Sequence, residues 1–214
     1  MKVLVISCHP DDEIIGVGGT IYKHVQNDDI VEVLIITEAS SPEWSDEYRE
    51  QKKIEQEEVD TFLGINKRHH LNYPSLSLDS INRSRLNYEI YKMIEKINPD
   101  IIYTHYNNEL NNSHNIVGDA TLVGCRTPNK STIYMYESEG TRSFQKSFTP
   151  NYYVQLTHSQ LEKKIDAFSF YESEVKDSPH PRSFRGIRTL AKYRGDEVGV
   201  QYAEAFIQVR RLWI

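Results

Sequence analysis

Apolar residues along the chain fall into short, nearly continuous runs separated by longer stretches of mixed character. Val3–Ser7, Val31–Thr37, Ile101–Thr104 and Thr132–Tyr136 are apolar or β-branched at almost every position. Such runs predict strands buried on both faces, because a half-exposed strand would alternate apolar with polar. Between them, Ile14–Gln26, Glu47–Leu63, Arg83–Ile97 and Ile116–Cys125 space their apolar residues at helical intervals. Leu63-Gly64 reads as a helix stop, and Asn98-Pro99-Asp100 as a turn feeding the next strand. Strand and helix in alternation predict an α/β fold, a Rossmann-like, mostly parallel sheet flanked by helices. After Glu137 the rhythm breaks. Glu137–Asn151 reads as an extended loop or lid, Ser159–Tyr171 as a helix and Asp177–Phe184 as an irregular stretch with two prolines. Tyr202–Leu212 reads as a tail that begins helical, with Ala203-Glu204-Ala205-Phe206 packing there. The expected organisation is a single domain over residues 1–214 with an irregular C-terminal lid region.

Composition narrows the partners. With 25 Lys and Arg against 31 Asp and Glu, the 214-residue chain carries a net charge of −6. It lacks the basic surface needed for sequence-independent nucleic-acid binding or for anionic membranes. No apolar run approaches the roughly 18 residues of a membrane span. Met1 leads directly into a strand without a signal-peptide layout, and two cysteines, Cys8 and Cys125, make no disulfide framework. These features predict a cytoplasmic protein acting on a small molecule, and they are compatible with a homo-oligomer.

The chemistry concentrates at Ser7-Cys8-His9-Pro10-Asp11-Asp12-Glu13, at the carboxyl end of the first strand, where open α/β sheets bind ligands. Proline and carboxylates at a helix start are also good capping chemistry. Three consecutive carboxylates beside a histidine exceed what a cap needs, however, and they repel one another unless a cation joins them. His9 and Asp12, three apart, can share one face of a helical turn and suit zinc. Among the eight histidines, His105 ends a strand, His114 opens a helix and His180 sits in a proline-rich turn. These three are the candidates for a further ligand or a site role. Gly16-Val17-Gly18-Gly19 is not a dinucleotide fingerprint, because Ile21 stands where the last glycine belongs and the acids would repel a pyrophosphate. Those glycines instead predict close packing of the first helix. Cys8 reads as a small buried thiol.

An ordered set of motifs now stands out: His9-Pro10-Asp11-Asp12-Glu13, Thr104-His105, Leu110-Asn111-Asn112-Ser113-His114, Cys125-Arg126-Thr127-Pro128, Pro179-His180-Pro181-Arg182-Ser183 and Arg194-Gly195. With them the chain resembles the PIG-L/LmbE-like family of zinc-dependent N-acetylglucosaminyl deacetylases. The resemblance implies His9, Asp12 and His114 as ligands of Zn²⁺ or another divalent metal, and Asp11 as general base. His180 is the favoured second donor to the acyl oxygen. Asn111, Arg182 and His105 are the candidate substrate contacts, with Arg182 placed to clamp an anionic remote end. One departure matters: the family loop usually reads Asp-Leu-Asn-x-Asp-His, whereas Glu109 and Ser113 stand here in place of its two acids. The implied reaction is hydrolysis of an N-acetyl group on an amino sugar such as an N-acetylglucosamine conjugate. A zinc amidohydrolase for non-sugar N-acyl compounds, and a metal- or sugar-binding protein without turnover, are the alternatives.

Overall fold

A seven-stranded sheet in the spatial order β3-β2-β1-β4-β5-β7-β6 organises the computed structural model, which describes residues 1–139 and 147–212. Its strands are β1 (Lys2–Ser7), β2 (Ile30–Glu38), β3 (Lys67–Pro74), β4 (Ile101–His105), β5 (Thr132–Tyr136), β6 (Tyr152–Leu156) and β7 (Tyr202–Arg210). The first five run parallel, while β7 and β6 are antiparallel additions at the β5 edge. The helices are α1 (Asp12–Gln26), α2 (Asp46–Leu63), α3 (Arg83–Ile97), α4 (Asn112–Gly124), α5 (His158–Ser169) and α6 (Phe184–Asp196).

Alternate residues of β1 feed two cores. Val3 and Val5 pack with α1, α5 and α6, and Leu4 and Ile6 with α3 and α4. Helices therefore cover both faces, which is why the strands read as continuous apolar runs. The chain winds from β1 out to β2 and β3, then returns to place β4 on the other side of β1. The crevice between the carboxyl ends of β1 and β4 is thus the topological switch point, where such sheets bind ligands.

The packing of α1 onto this crevice needs glycine. A Cβ on Gly16 would lie 2.3 Å from Cδ2 of Tyr136. That ring is fully buried, and its hydroxyl lies 3.0 Å from Ser7 Oγ and donates to the Ile6 carbonyl at 3.1 Å.

Two features differ from the sequence pattern. The tail expected to start as helix is β7, inserted between β5 and β6. Ala and Glu favour helix locally, but Tyr202, Phe206 and Val209 suit a strand, and pairing on both edges overrides propensity. Glu204 is buried in this strand because it accepts from the N–H groups of Gly19 and Thr20 at 3.0 and 2.7 Å and pairs with Lys164 at 2.6 Å. Second, β6 and α6 have no counterpart in the sequence reading. Of the lid expected over Glu137–Asn151, residues 140–146 lie outside the described residues.

Candidate active site

The carboxyl ends of β1 and β4 bring the chemistry-bearing residues together. Asp12 opens α1, so His9 and Asp12 share one turn: Asp12 Oδ2 accepts the His9 backbone N–H at 2.8 Å and lies 3.2 Å from His9 Nδ1. From the first turn of α4 comes His114, whose Nε2 is 3.3 Å from both Asp12 Oδ2 and His9 Nδ1. The three atoms make a nearly equilateral triangle. Donors about 2.1 Å from one zinc ion at tetrahedral angles lie roughly 3.4 Å apart. The triangle therefore has the size a divalent ion requires. The His9 side chain is 28% exposed against 3% for Asp12 and 4% for His114, so the site opens beside His9.

His105 approaches the same carboxylate, with Nε2 3.3 Å from Asp12 Oδ2. Its Nε2, however, already accepts the Cys8 N–H at 2.9 Å. Burial, followed by the charge of His114, pushes its pKa down to about 4, so it is neutral. The reading of His105 as a substrate contact is corrected here. Its side chain is only 1% exposed, and its ring stacks on His114 with centroids 4.0 Å apart. It backs the donor set from inside the protein.

A carboxylate orients the third imidazole. Glu109 Oε1 pairs with His114 Nδ1, and Ser138 Oγ donates to Glu109 Oε2. With the proton held on Nδ1, Nε2 is left facing the triangle. Ser113 takes no part in this pairing; its N–H donates to the Asn111 side chain at 3.0 Å as α4 begins. Glu109 thus supplies the orienting carboxylate despite Ser113.

Asp11 sits at the N-cap of α1 with φ 117° and ψ −33°. That is an unfavourable backbone for a residue with a Cβ, and it persists only where surroundings impose it. Its N–H donates to Glu13 Oε2 at 3.0 Å. Glu13 is fully buried, and its other oxygen accepts from Tyr171 OH at 2.7 Å and Arg68 Nη1 at 2.9 Å. Asp60 in turn grips Arg68 at 2.6 Å. The adjacent carboxylates are driven apart electrically. Burial, followed by the charge of Asp12, pushes the Asp11 carboxyl well above the usual range despite Arg182. Burial works the same way on Asp12, but His114 and His105 outweigh it and hold that carboxyl well below the usual range. The two neighbouring acids thus have widely separated affinities for protons, a pattern found where two carboxyl groups divide acid and base roles.

Arg182 does not reach out to an anionic group. Its Nη1 donates to Asp11 Oδ2 at 3.1 Å and Glu174 Oε2 at 2.8 Å, and its Nε to Glu139 Oε2 at 2.8 Å. Three carboxylates already share the guanidinium, which corrects the reading of Arg182 as a free clamp. His180 is exposed, and its Nδ1 accepts the Arg182 N–H at 3.0 Å, shaping the turn that delivers Arg182 to Asp11. Asn111 caps α4 and lines the mouth of the site. Arg68, Tyr171 and Ser138 are contributions that sequence reasoning missed; each acts across a long sequence separation that no local pattern records.

From this centre a cleft of about 1260 Å³ extends between α2 and β3. His9, Asp11, Asn111 and Arg182 line its inner end.

An open α/β sheet with a His–Asp–His donor set at its switch point, and a second buried carboxyl beside it, fits a metal-assisted hydrolase. The sequence profile of the PIG-L family, described as GlcNAc-PI de-N-acetylase, matches residues 4–124, and the chain belongs to that family. The diacetylchitobiose deacetylase of Thermococcus kodakarensis is 28% identical, over 95% of this chain and 81% of its own. Among solved structures, the N,N'-diacetylchitobiose deacetylase of Pyrococcus horikoshii superposes with a TM-score of 0.76 at 24% identity, covering 96% of this chain and 82% of that one. A 4-carboxy-2-hydroxymuconate hydratase of Pseudomonas putida gives 0.77 at 16%, covering 100% and 98%. These two structures share the fold; the second shows that the fold also carries another reaction, so the reaction must be argued from the site.

Proposed function

We propose that this chain is a zinc-dependent N-deacetylase that hydrolyses the N-acetyl group of an amino sugar, releasing acetate and a free amine. The observation that carries the reading is the donor triangle with Asp11 beside it. Family membership and the deacetylase relatives support the amide as the bond cleaved. His9, Asp12 and His114 would hold the ion, and two nitrogens with one oxygen suit zinc while admitting another divalent metal. Once bound, zinc acidifies a water in its open position and polarises the acyl oxygen.

The remaining work belongs to the chain. Asp11, with its raised proton affinity, takes the proton of the attacking water and hands it to the departing amine. Arg182 steadies Asp11 in its ionised form. His180, on the exposed side of the Arg182 turn, is the proposed second donor to the acyl oxygen, and Asn111 a contact for sugar hydroxyls. His105 positions Asp12 from behind. Residues 1–214 act as one domain in this reading, since a single sheet takes up strands from Lys2 to Arg210.

Chelation followed by metal restoration tests the proposal. The chelated protein should release no acetate from N-acetylglucosamine conjugates, and zinc should restore release with about one ion per chain. Undiminished release from metal-free protein contradicts the reading.

A further inference from the structure

We infer that Cys8 is a positioning residue for His9: its sulfur accepts a hydrogen bond from His9 Nε2 and so keeps Nδ1 turned toward Asp12 and His114. This rests on the proposed metal reading, and it gives the thiol just beyond β1 a role besides packing.

Each of the other two donors has a partner behind it. Glu109 pairs with His114 Nδ1, and Asp12 Oδ2 accepts the His9 backbone N–H at 2.8 Å and faces His105. His9 makes its ion pair through Nδ1, to Asp12, and the atom facing its Nε2 is Cys8 Sγ at 3.6 Å. A neutral imidazole carries one ring proton. With Nδ1 in the donor triangle that proton is on Nε2, where sulfur, a weak acceptor of large radius, receives it.

Backbone contacts fix the direction of the thiol. The Cys8 N–H donates to His105 Nε2 at 2.9 Å, and its carbonyl accepts from the Thr37 N–H at 2.9 Å and Thr37 Oγ1 at 2.8 Å. The residue is fully buried among apolar side chains, so the sulfur has little freedom to turn away. His9 depends on such a partner more than Asp12 or His114, because its side chain is the exposed member of the set.

Charge explains why a thiol suits this place. Asp11, Asp12, Glu13 and Glu109 are all buried around the centre. A further carboxylate behind His9 would add to their repulsion and make the imidazole a stronger donor, leaving a bound metal less able to acidify water. A neutral sulfur orients the ring without either effect. Cys8, His9 and His114 also place one donor atom each within 4.8 Å of one another. Sulfur bound to the metal itself is therefore the competing arrangement, and the test must separate the two.

Zinc affinity should be measured by competition with a chromogenic chelator for the full chain and for Cys8→Ser, Cys8→Ala and Cys8→Val. Serine keeps an acceptor, alanine and valine do not, and valine keeps the bulk. The inference expects Cys8→Ser to retain most of the affinity, and Cys8→Ala and Cys8→Val to bind about 10–100-fold more weakly. A packing role alone predicts another order, with valine tolerated and serine, a hydroxyl among apolar neighbours, the costly change. Thermal unfolding of the metal-free variants separates a lost fold from lost zinc. Independently of any variant, nuclear magnetic resonance of the zinc-loaded chain carrying isotope-labelled histidine should find the His9 proton on Nε2. Wild-type affinity in folded Cys8→Ala and Cys8→Val, a His9 proton on Nδ1, or a sulfur-to-metal charge-transfer band in the cobalt-loaded chain overturns the inference while the metal reading stands. A wild-type chain that binds no zinc removes the metal reading, and the inference with it.

Discussion

Asp11 and Asp12 are neighbours in sequence, yet they face opposite surroundings. Three histidine nitrogens lie within 3.3 Å of one Asp12 oxygen. Asp11 faces Arg182 across the open side and is held in its unfavourable backbone conformation through Glu13. The His9-Pro10-Asp11-Asp12-Glu13 stretch makes this division legible in the sequence, because all its parts fall within one turn. What keeps Asp11 in place is not legible there: Glu13 depends on Tyr171, 158 residues further along. Glu13→Gln should therefore lower kcat by an order of magnitude or more with a small change in KM and full metal content. Denaturant unfolding should show a loss of about 3–5 kcal/mol, the usual cost of stranding one member of a buried charge pair. Unchanged kcat would remove Glu13 from its positioning role. Likewise Glu109→Gln should weaken zinc binding about 10–100-fold, as loss of a partner that orients a ligand does. Ser113→Ala should leave the affinity as it was; competition with a chromogenic chelator measures both.

At the scale of elements, the helix starts and strand ends do the positioning. α1 begins at the metal-ligand candidate Asp12 itself, with His9 three residues earlier, and α4 at Asn112, two residues before His114. The apolar pattern foretold both helices but began them later, at Ile14 and Ile116, because the polar first turns that carry the chemistry have no apolar periodicity. The β7 strand was illegible for a different reason. Its pairing partners, β5 and β6, are separated from it by tens of residues, and local propensity points the other way. The glycines, by contrast, were legible as packing residues. Gly16→Ala should cost about 1–3 kcal/mol, the range for overpacking a filled core, since its Cβ meets the buried Tyr136 ring at 2.3 Å. Because Tyr136 packs against His105 with centroids 4.6 Å apart, the same variant should also weaken metal binding. Thermal unfolding with and without zinc checks both effects.

Across the whole molecule, the net charge of −6 said little about the surface, and its informative part is the acids crowded at the switch point. No helix among the described residues is long and apolar enough to cross a membrane. Metal and protons compete for this centre. Burial lowers the proton affinity of His114, but Asp12 and Glu109 outweigh it and raise the pKa to about 10, so without metal the imidazole is protonated at neutral pH. A ligand must be neutral, so zinc uptake should release at least about one proton, and affinity should fall as pH falls. Calorimetry in two buffers of different ionisation enthalpy would show this as buffer-dependent heat; identical heats would contradict it. The account as a whole turns on Asp11 accepting a proton beside a metal held by other residues. The most direct test is acetate release by Asp11→Asn, assayed on protein of measured zinc content. The account predicts about one zinc per chain and a rate at least about 100-fold below wild type; wild-type turnover at full zinc occupancy would contradict it.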